Sequence, residues 1–312
     1  MMWILAVLLI LIIVLLLISR FCYRIAFYSY NRKEQDIYVI PPGKQYEQLA
    51  DEILSVIKEV DDLPYELVSI KASDGIRLIG RYYHFKDGAP LQILFHGYRG
   101  CGIREFAGNN RLAATLGFNA LVVDQRAHGK SGGHTITFGI KERYDCLAWA
   151  EYAAERFGLG TPVFLSGVSM GASSVLMASS LDLPINVKGI TADCPYSSPK
   201  DIIRKVSADA KLPPWLSYPF VVIGALIFGH FKLWDSSALE SVAHTKLPIL
   251  LIHGEDDRFV PCDMSRRIFK ACTGSARLLT VPYAGHGISY FVNTKLYSDA
   301  FAEFLSEIGV LQ

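Results

Sequence analysis

The chain has 312 residues, of which 51% are hydrophobic, and its formal net charge at pH 7 is +1. This balance excludes the strongly basic surface typical of nucleic-acid-binding proteins and the acidic tail of a solvating segment, so no nucleic-acid partner is expected. The length allows one large α/β domain or two modest ones, as in a globular enzyme.

The cysteines indicate neither a disulfide framework nor a zinc site. No two of them form a Cys-x-x-Cys pair, and none has a cysteine or histidine partner at the spacing of a zinc ligand set. We therefore expect free, mostly buried thiols in a reducing compartment, with no metal and no cofactor. The six are Cys22, Cys101, Cys146, Cys194, Cys262 and Cys272.

The chain opens with an apolar run, MMWILAVLLILIIVLLLI, which carries no polar side chain. As a helix this run is about 27 Å long, close to the hydrocarbon thickness of a bilayer. No Lys or Arg precedes it and no small-residue cleavage site follows it, as a signal peptide would require. We therefore predict an uncleaved, single-pass membrane anchor at residues 1–19.

The charges beside the anchor predict its orientation. Arg20, Arg24, Arg32 and Lys33 all follow the span, and only the amino terminus precedes it. The positive-inside rule then places the C-terminal part in the cytoplasm. A translocated domain is the alternative.

Residues 20–62 are predicted to be a juxtamembrane linker that contains a short amphipathic helix at 45–60, and residues 63–312 a single domain. That domain begins with a hairpin around Asp74-Gly75. Short apolar runs then alternate with helical stretches, which predicts an α/β fold with a mostly parallel sheet covered on both faces by helices. The predicted parallel strands lie at 91–95, 119–124, 161–167, 186–193, 247–254 and 276–282.

Three residues that follow these strands suggest nucleophilic catalysis, because ligands bind at the carboxyl ends of parallel strands. Ser169 lies in Gly-Val-Ser-Met-Gly after the third parallel run, Asp257 follows the fifth, and His286 follows the sixth. A serine hydroxyl becomes a good nucleophile when an imidazole accepts its proton and a carboxylate orients that imidazole.

The residues around Ser169 fit an exposed nucleophile on a sharp turn. Gly167 and Gly171 would let the strand turn directly into a helix, so that the hydroxyl projects from the backbone. The backbone N–H of Met170 would then lie at a helix N-terminus and donate to an oxyanion. The loop after 91–95 would supply a second N–H, that of Tyr98.

Together these segments resemble the α/β-hydrolase superfamily from about Glu66 to the C-terminus. The resemblance is carried by HGY (96–98), DQRAHGKS (124–131), GVSMG (167–171), HGEDDRFVP (253–261) and the late histidine. More narrowly, the chain is similar to bacterial membrane-anchored serine hydrolases of the acylaminoacyl/dipeptidyl-peptidase-like branch. The resemblance implies that Ser169 is the nucleophile, Asp257 the orienting acid and His286 the general base. Asp257 is preferred to Asp256 because it occupies the acidic position of His-Gly-x-x-Asp.

The segment at about 195–245 interrupts the strand–helix alternation where this superfamily inserts a lid. It contains an apolar run at 219–231 that is too short for a second membrane span. We expect a lid or helix packed over the active site. A sharper hypothesis is that this segment also contacts the bilayer or an acyl chain.

The sequence therefore predicts a membrane-anchored serine hydrolase that cleaves carboxylic esters or thioesters through an acyl-enzyme. Its partners would be a small or lipid-like acyl substrate and, through the anchor, a membrane. A serine peptidase is the first alternative, and a non-catalytic binding protein on the same fold is the second. Substrate identity, acyl chain length and oligomeric state stay open.

Overall fold

The computed structural model describes residues 2–30 and 36–311. Its centre is one eight-stranded sheet with the strand order β1-β2-β4-β3-β5-β6-β7-β8. The β1–β2 and β2–β4 pairs are antiparallel and all other pairs are parallel. The strands are β1 (Glu66–Lys71), β2 (Arg77–Tyr83), β3 (Leu91–Phe95), β4 (Asn119–Asp124), β5 (Val163–Val168), β6 (Val187–Asp193), β7 (Ile249–Gly254) and β8 (Ala276–Val281).

Helices cover both faces of this sheet, so the predicted α/β architecture is confirmed. The helices of the described residues are α1 (Met2–Ala26), α2 (Lys44–Gln48), α3 (Ala50–Asp61), α4 (Gly102–Glu105), α5 (Ala107–Leu116), α6 (Glu142–Phe157), α7 (Met170–Ala178), α8 (Pro199–Asp209), α9 (Pro214–Ile227), α10 (Ala238–Ser241), α11 (Asp263–Ala271), α12 (Ser289–Val292) and α13 (Thr294–Glu307).

The inner parallel strands, β3 to β7, are mostly apolar because both of their faces are buried. In β3, Leu94 packs into the layer of α3, α5 and α13, whereas Ile93 and Phe95 pack into the layer of α6 and α7. This alternation follows from the two-residue period of a strand. Because β3 and β5 to β8 run parallel, the carboxyl ends of β3, β5, β7 and β8 lie at one edge of the sheet, where the loops emerge.

The segment between the anchor and β1 differs in detail from the prediction. The helix expected at 45–60 is divided into α2 and α3 by a break at Leu49, whose φ and ψ are −105° and 4°. The apolar face of α3 is buried in the core through Ile53, Val56, Ile57 and Val60. The boundaries at 19/20 and 62/63 stay predictions.

Helix α1 is 25 residues long, and its length and hydropathy suffice to cross a membrane. The side chains of residues 2–15 are exposed. Ser19 and Tyr23 near the end of the helix are buried, and so is Phe27, the residue that follows it. This side packs against α9, where Gly224 leaves room for the backbone of Ser19. Helix α1 therefore extends past the predicted end of the anchor and docks on the domain. Arg32 and Lys33, which carried part of the orientation argument, lie outside the described residues.

Candidate active site

Ser169 occupies the turn between β5 and α7. Its backbone φ is +54° and its ψ is −114°, a conformation that is rare for a residue with a side chain. Such a conformation costs about 1–3 kcal/mol and persists only where the surroundings impose it. Here the Ser169 N–H donates to the Asp193 carbonyl at 2.8 Å, and α7 starts at the next residue.

The two glycines beside Ser169 are required by close backbone contacts. A Cβ atom on Gly171 would lie 1.8 Å from the carbonyl oxygen of Phe95 at the end of β3. A Cβ atom on Gly167 would lie 2.3 Å from the carbonyl carbon of Gly171. The turn therefore packs directly onto β3, and a side chain at either position would open it.

The structure brings Ser169, His286 and Asp257 together from three different loops. The Nε2 atom of His286 lies 2.9 Å from the Oγ of Ser169, and its Nδ1 atom lies 2.6 Å from the Oδ2 of Asp257. Ser169 and Asp257 are buried, and His286 is partly exposed. Asp256, the alternative acid, is exposed, and the carboxyl bonded to His286 is that of Asp257.

The environment of Asp257 keeps its carboxyl ionised. Burial alone would raise its pKa, but hydrogen bonds with His253 and His286 outweigh burial and hold the pKa of Asp257 well below its usual range. The backbone N–H groups of Phe259 and Val260 also donate to its Oδ1, at 2.9 and 2.8 Å. An ionised Asp257 accepts a hydrogen bond from Nδ1–H of His286, which leaves Nε2 unprotonated and able to accept the proton of Ser169.

A second buried carboxyl, Asp193, lies at the end of β6 and behaves differently. Burial is the main influence on it and raises its pKa to about 7. Within the described residues, its Oδ1 has no hydrogen-bond partner. Since Asp257 is ionised and bonded to His286, it is the better orienting acid of the two.

Two backbone N–H groups point to a place for an oxyanion. The N–H of Met170 is at the first residue of α7, and that of Tyr98 is in the loop after β3. Neither has an acceptor among the described residues. On either side of Tyr98, the N–H of Gly97 donates to Glu105 at 2.5 Å, and that of Arg99 donates to His128 at 2.9 Å. The Tyr98 N–H is thus the donor that this loop leaves available.

Two neutral histidines hold this loop from behind. His96 accepts from the N–H of Gln125 through Nε2 at 3.1 Å, and His128 accepts from the N–H of Arg99 through Nε2. Their rings are 4.7 Å apart and almost fully buried. Burial lowers the pKa of His96 to about 4 and that of His128 to about 3. Protonation would replace each acceptor with a donor and break these bonds.

We therefore expect acid to destabilise the protein over a defined range. A histidine in the unfolded chain has a pKa of about 6.5, so the unfolded state binds protons between pH 6.5 and 4 that the folded state does not. The free energy of unfolding should fall as the pH decreases through this range, and urea denaturation at pH 7 and pH 5 measures the loss. Between pH 7 and pH 5, the free energy of unfolding should fall less in His128→Gln than in the wild type. In His244→Gln, at an exposed position, it should fall as much as in the wild type. Equal losses in all three proteins would contradict this account.

A cavity of about 260 Å³ opens beside Ser169 and His286. Most of its wall is apolar, Arg99, Arg104 and Glu105 add charge, and Tyr98 also lines it. Part of the wall comes from the segment before β1, where the Tyr46 hydroxyl donates to the carbonyl of His286 at 2.6 Å. The apolar lining residues are Pro41, Tyr46, Ile53, Val168, Phe259, Ile288 and Phe291.

The sequence did not indicate that the segment before β1 covers the cavity, and the lid was expected at 195–245 instead. That insertion forms α8, α9 and α10, and none of its residues lines the cavity among those the structure describes. Helix α9 packs on α1 instead. The only sequence signal for the cover was the amphipathic pattern at 45–60, which indicated a buried face without indicating what it faces.

Among residues 2–30 and 36–311, one group of side chains has ligand atoms close enough to consider a metal. Cys194, Asp257 and His286 each offer an atom within 4.8 Å of the others. Burial raises the pKa of the Cys194 thiol well above its usual value, which disfavours the thiolate that a metal needs. A metal here would also compete with the bond between Asp257 and His286. The arrangement thus fits proton transfer better than metal binding.

The chain matches two family models, one for the α/β hydrolase fold over residues 90–221 and one for TAP-like proteins over residues 234–308. Protein YqkD of Bacillus subtilis is 26% identical over 195 residues, which make up 62% of this chain and 64% of YqkD. Lysophosphatidylserine lipase ABHD12 of Danio rerio is 26% identical over 209 residues, which make up 62% of this chain and 50% of the lipase. Esterase Pf2001 of Pyrococcus furiosus superposes with a TM-score of 0.64 at 25% identity, over 80% of this chain and 92% of the esterase.

Proposed function

Because the chain belongs to the α/β-hydrolase superfamily, we propose that it is a membrane-anchored serine hydrolase that cleaves carboxylic esters or thioesters. The observation that carries this proposal is the hydrogen-bonded row of Ser169, His286 and Asp257 beside a mostly apolar cavity. The esterase and lipase among its relatives favour an ester substrate.

The proposed reaction uses the tautomer that Asp257 imposes on His286. Nε2 of His286 accepts the Ser169 proton as Oγ attacks the substrate carbonyl carbon, and the carbonyl oxygen becomes an oxyanion held by the N–H groups of Tyr98 and Met170. His286 then gives the proton to the departing alkoxide or thiolate, which leaves an acyl-enzyme. Water, deprotonated by the same imidazole, attacks this ester and frees Ser169.

The cavity supports an acyl substrate of limited size. Its volume of about 260 Å³ is below the range of about 300–1,000 Å³ found for pockets that enclose drug-sized ligands. Its apolar wall fits an acyl group, with the alcohol or thiol side left outside. The name of the ABHD12 relative makes a lysophospholipid one candidate within this class.

Helix α1 supports the membrane part of the proposal. The side chains of residues 2–15 are exposed and all apolar, which suits hydrocarbon rather than water. The following cations, Arg20 and Arg24, favour the orientation with the hydrolase domain in the cytoplasm. A reporter fused after Gln312 tests this orientation.

A fluorophosphonate probe tests the chemistry. We expect wild-type protein to be labelled covalently and Ser169→Ala to lose all labelling, because the probe forms its bond with the activated hydroxyl. Ser180→Ala is a matched control, since this serine bonds to Met177 and Ser241 away from the site. Folded wild-type protein that stays unlabelled would refute the proposal.

Substrate series separate the ester from the peptide alternative. We expect turnover of p-nitrophenyl acyl esters to exceed turnover of aminoacyl anilides, and an ester chain-length series to show which acyl groups the cavity admits. A preference for the anilides would instead identify a peptidase.

A further inference from the structure

The C-terminal end of α1 contacts the loop that carries the Tyr98 N–H. The hydroxyl of Tyr98 donates to the carbonyl of Ala26 at 2.9 Å. The guanidinium of Arg99 donates through Nη2 to the carbonyl of Ile25 at 2.7 Å and to that of Tyr28 at 3.2 Å. Both side chains of the loop's central dipeptide therefore bind the same end of the same helix.

These bonds satisfy groups that a helix leaves unpaired. The last carbonyls of an α-helix have no partner within the helix, and its C-terminus carries a partial negative charge. A guanidinium at this position makes a charge-assisted hydrogen bond and interacts favourably with that charge. The contact therefore stabilises the helix end and the loop together.

The end of α1 is itself a fixed support. Phe27 is fully buried, and its ring packs edge-on against Phe138 at 5.6 Å and Phe231 at 5.2 Å. Its carbonyl accepts from the N–H of Ile136 at 2.8 Å. The ring of Tyr98 stacks on the same Phe138 at 5.1 Å, so the loop and the helix end share one packed cluster.

The loop has a backbone that needs such support. Arg99 has a φ of +52°, which is unfavourable for a residue with a side chain, and Tyr98 precedes it directly. The direction of the Tyr98 N–H depends on the dihedral angles of these residues. Glu105 and His128 hold the backbone N–H groups on either side, and α1 holds the side chains.

We propose that the C-terminal turn of α1 is a positioning element of the active site, which holds the oxyanion loop through Tyr98 and Arg99. The helix proposed to anchor the protein would thus take part in catalysis as well as in attachment. This inference rests on the proposed function, because it requires that the loop stabilise an oxyanion.

The test is a double variant in the full-length protein, Tyr98→Phe with Arg99→Gln. It removes the bonds to Ala26, Ile25 and Tyr28 but retains every backbone N–H and the ring that stacks on Phe138. We expect kcat for a p-nitrophenyl ester to fall at least about tenfold, part of the 10²–10³-fold that follows complete loss of an oxyanion donor. The midpoint of the pH profile should stay the same, because His286 and its bond to Asp257 do not change.

Two further variants separate positioning from a general disturbance. Arg99→Lys, which keeps a cationic donor, should retain more activity than Arg99→Gln. Arg24→Ala removes another cation from the same end of the helix. The Arg24 guanidinium lies over the ring of Tyr30 and not on the loop, so this variant should leave kcat unchanged. A loss in Arg24→Ala equal to that of the double variant would overturn the inference, and so would a shifted pH midpoint in the double variant.

The experiments also distinguish failure of this inference from failure of the proposed hydrolase function. Wild-type protein that reacts with the fluorophosphonate, together with a double variant of undiminished kcat, would overturn the inference and leave the proposed function intact. Wild-type protein that does not react at all would overturn both, since no oxyanion would then form.

Discussion

Replacing Asp257 with asparagine is expected to lower kcat for ester hydrolysis by about 10⁴-fold, because the amide favours the wrong tautomer of His286. The Nδ1–H of His286 donates a hydrogen bond to Asp257 at 2.6 Å, which leaves Nε2 to accept from the hydroxyl of Ser169. An asparagine that turns its NH₂ group toward His286 would instead donate to Nδ1 and place the imidazole proton on Nε2. The hydroxyl of Ser169 would then face a donor and lose its base. Steady-state kinetics with a short p-nitrophenyl ester measure the change.

The neighbouring carboxylate is the matched control for this prediction. Asp256 differs from Asp257 by one position in the chain, but its side chain is exposed, and the carboxyl bonded to His286 is that of Asp257. Asp256→Asn removes the same charge at nearly the same place and should keep kcat within about twofold, as expected for a screened surface charge. Equal losses in the two variants would show that the loop as a whole, and not the bond from Asp257, supports catalysis.

The sheet and the loops at its edge could be predicted closely because they depend on local patterns. The run Leu91–Phe95 is strand β3 with the predicted bounds, since a strand buried on both faces is mostly apolar. Its one polar side chain, Gln92, donates to the hydroxyl of Ser166. Glycines mark the turn at Ser169 because backbone atoms leave no space for a Cβ. A parallel sheet then brings the ends of β5, β7 and β8 to one edge, whatever separates them in sequence.

The N-terminal contributions could not be predicted, because they depend on contacts between residues far apart in the chain. Tyr46 bonds to the carbonyl of His286 across 240 positions, and Arg99 bonds to Ile25 across 74. Both bonds end on backbone carbonyls, which every residue carries, so the sequence holds no signature of the acceptor. The apolar run at 219–231 was equally ambiguous, since a lid, a core helix and the partner of a membrane helix share the same composition.

These contacts change how the segment before β1 should be understood. A linker would attach the domain without affecting it, whereas this one supplies the wall of the cavity through Pro41, Tyr46 and Ile53. Helix α1 meanwhile contacts the loop that carries the Tyr98 N–H. The site is therefore built by the sheet edge together with the N-terminal region, and a fragment that begins at β1 would lack both supports.

Replacing Gly171 with alanine is expected to have the largest effect on folding, because its Cβ would lie 1.8 Å from the carbonyl oxygen of Phe95. Backbone atoms at the end of β3 cannot move aside like a flexible side chain, so β3 and α7 would have to separate. Overpacking in a core typically costs 1–3 kcal/mol, and we expect at least about 3 kcal/mol here. Met170 and Tyr98 lie on opposite sides of this contact, so the separation would also move them apart. The folded fraction should therefore lose fluorophosphonate labelling as well.

Gly160→Ala is the control, since an added Cβ there meets nothing within 4 Å. Urea denaturation should show a normal midpoint for Gly160→Ala and a large decrease for Gly171→Ala, and a Gly171→Ala protein as stable as wild type would mean that β3 and the Ser169 turn are not packed this closely.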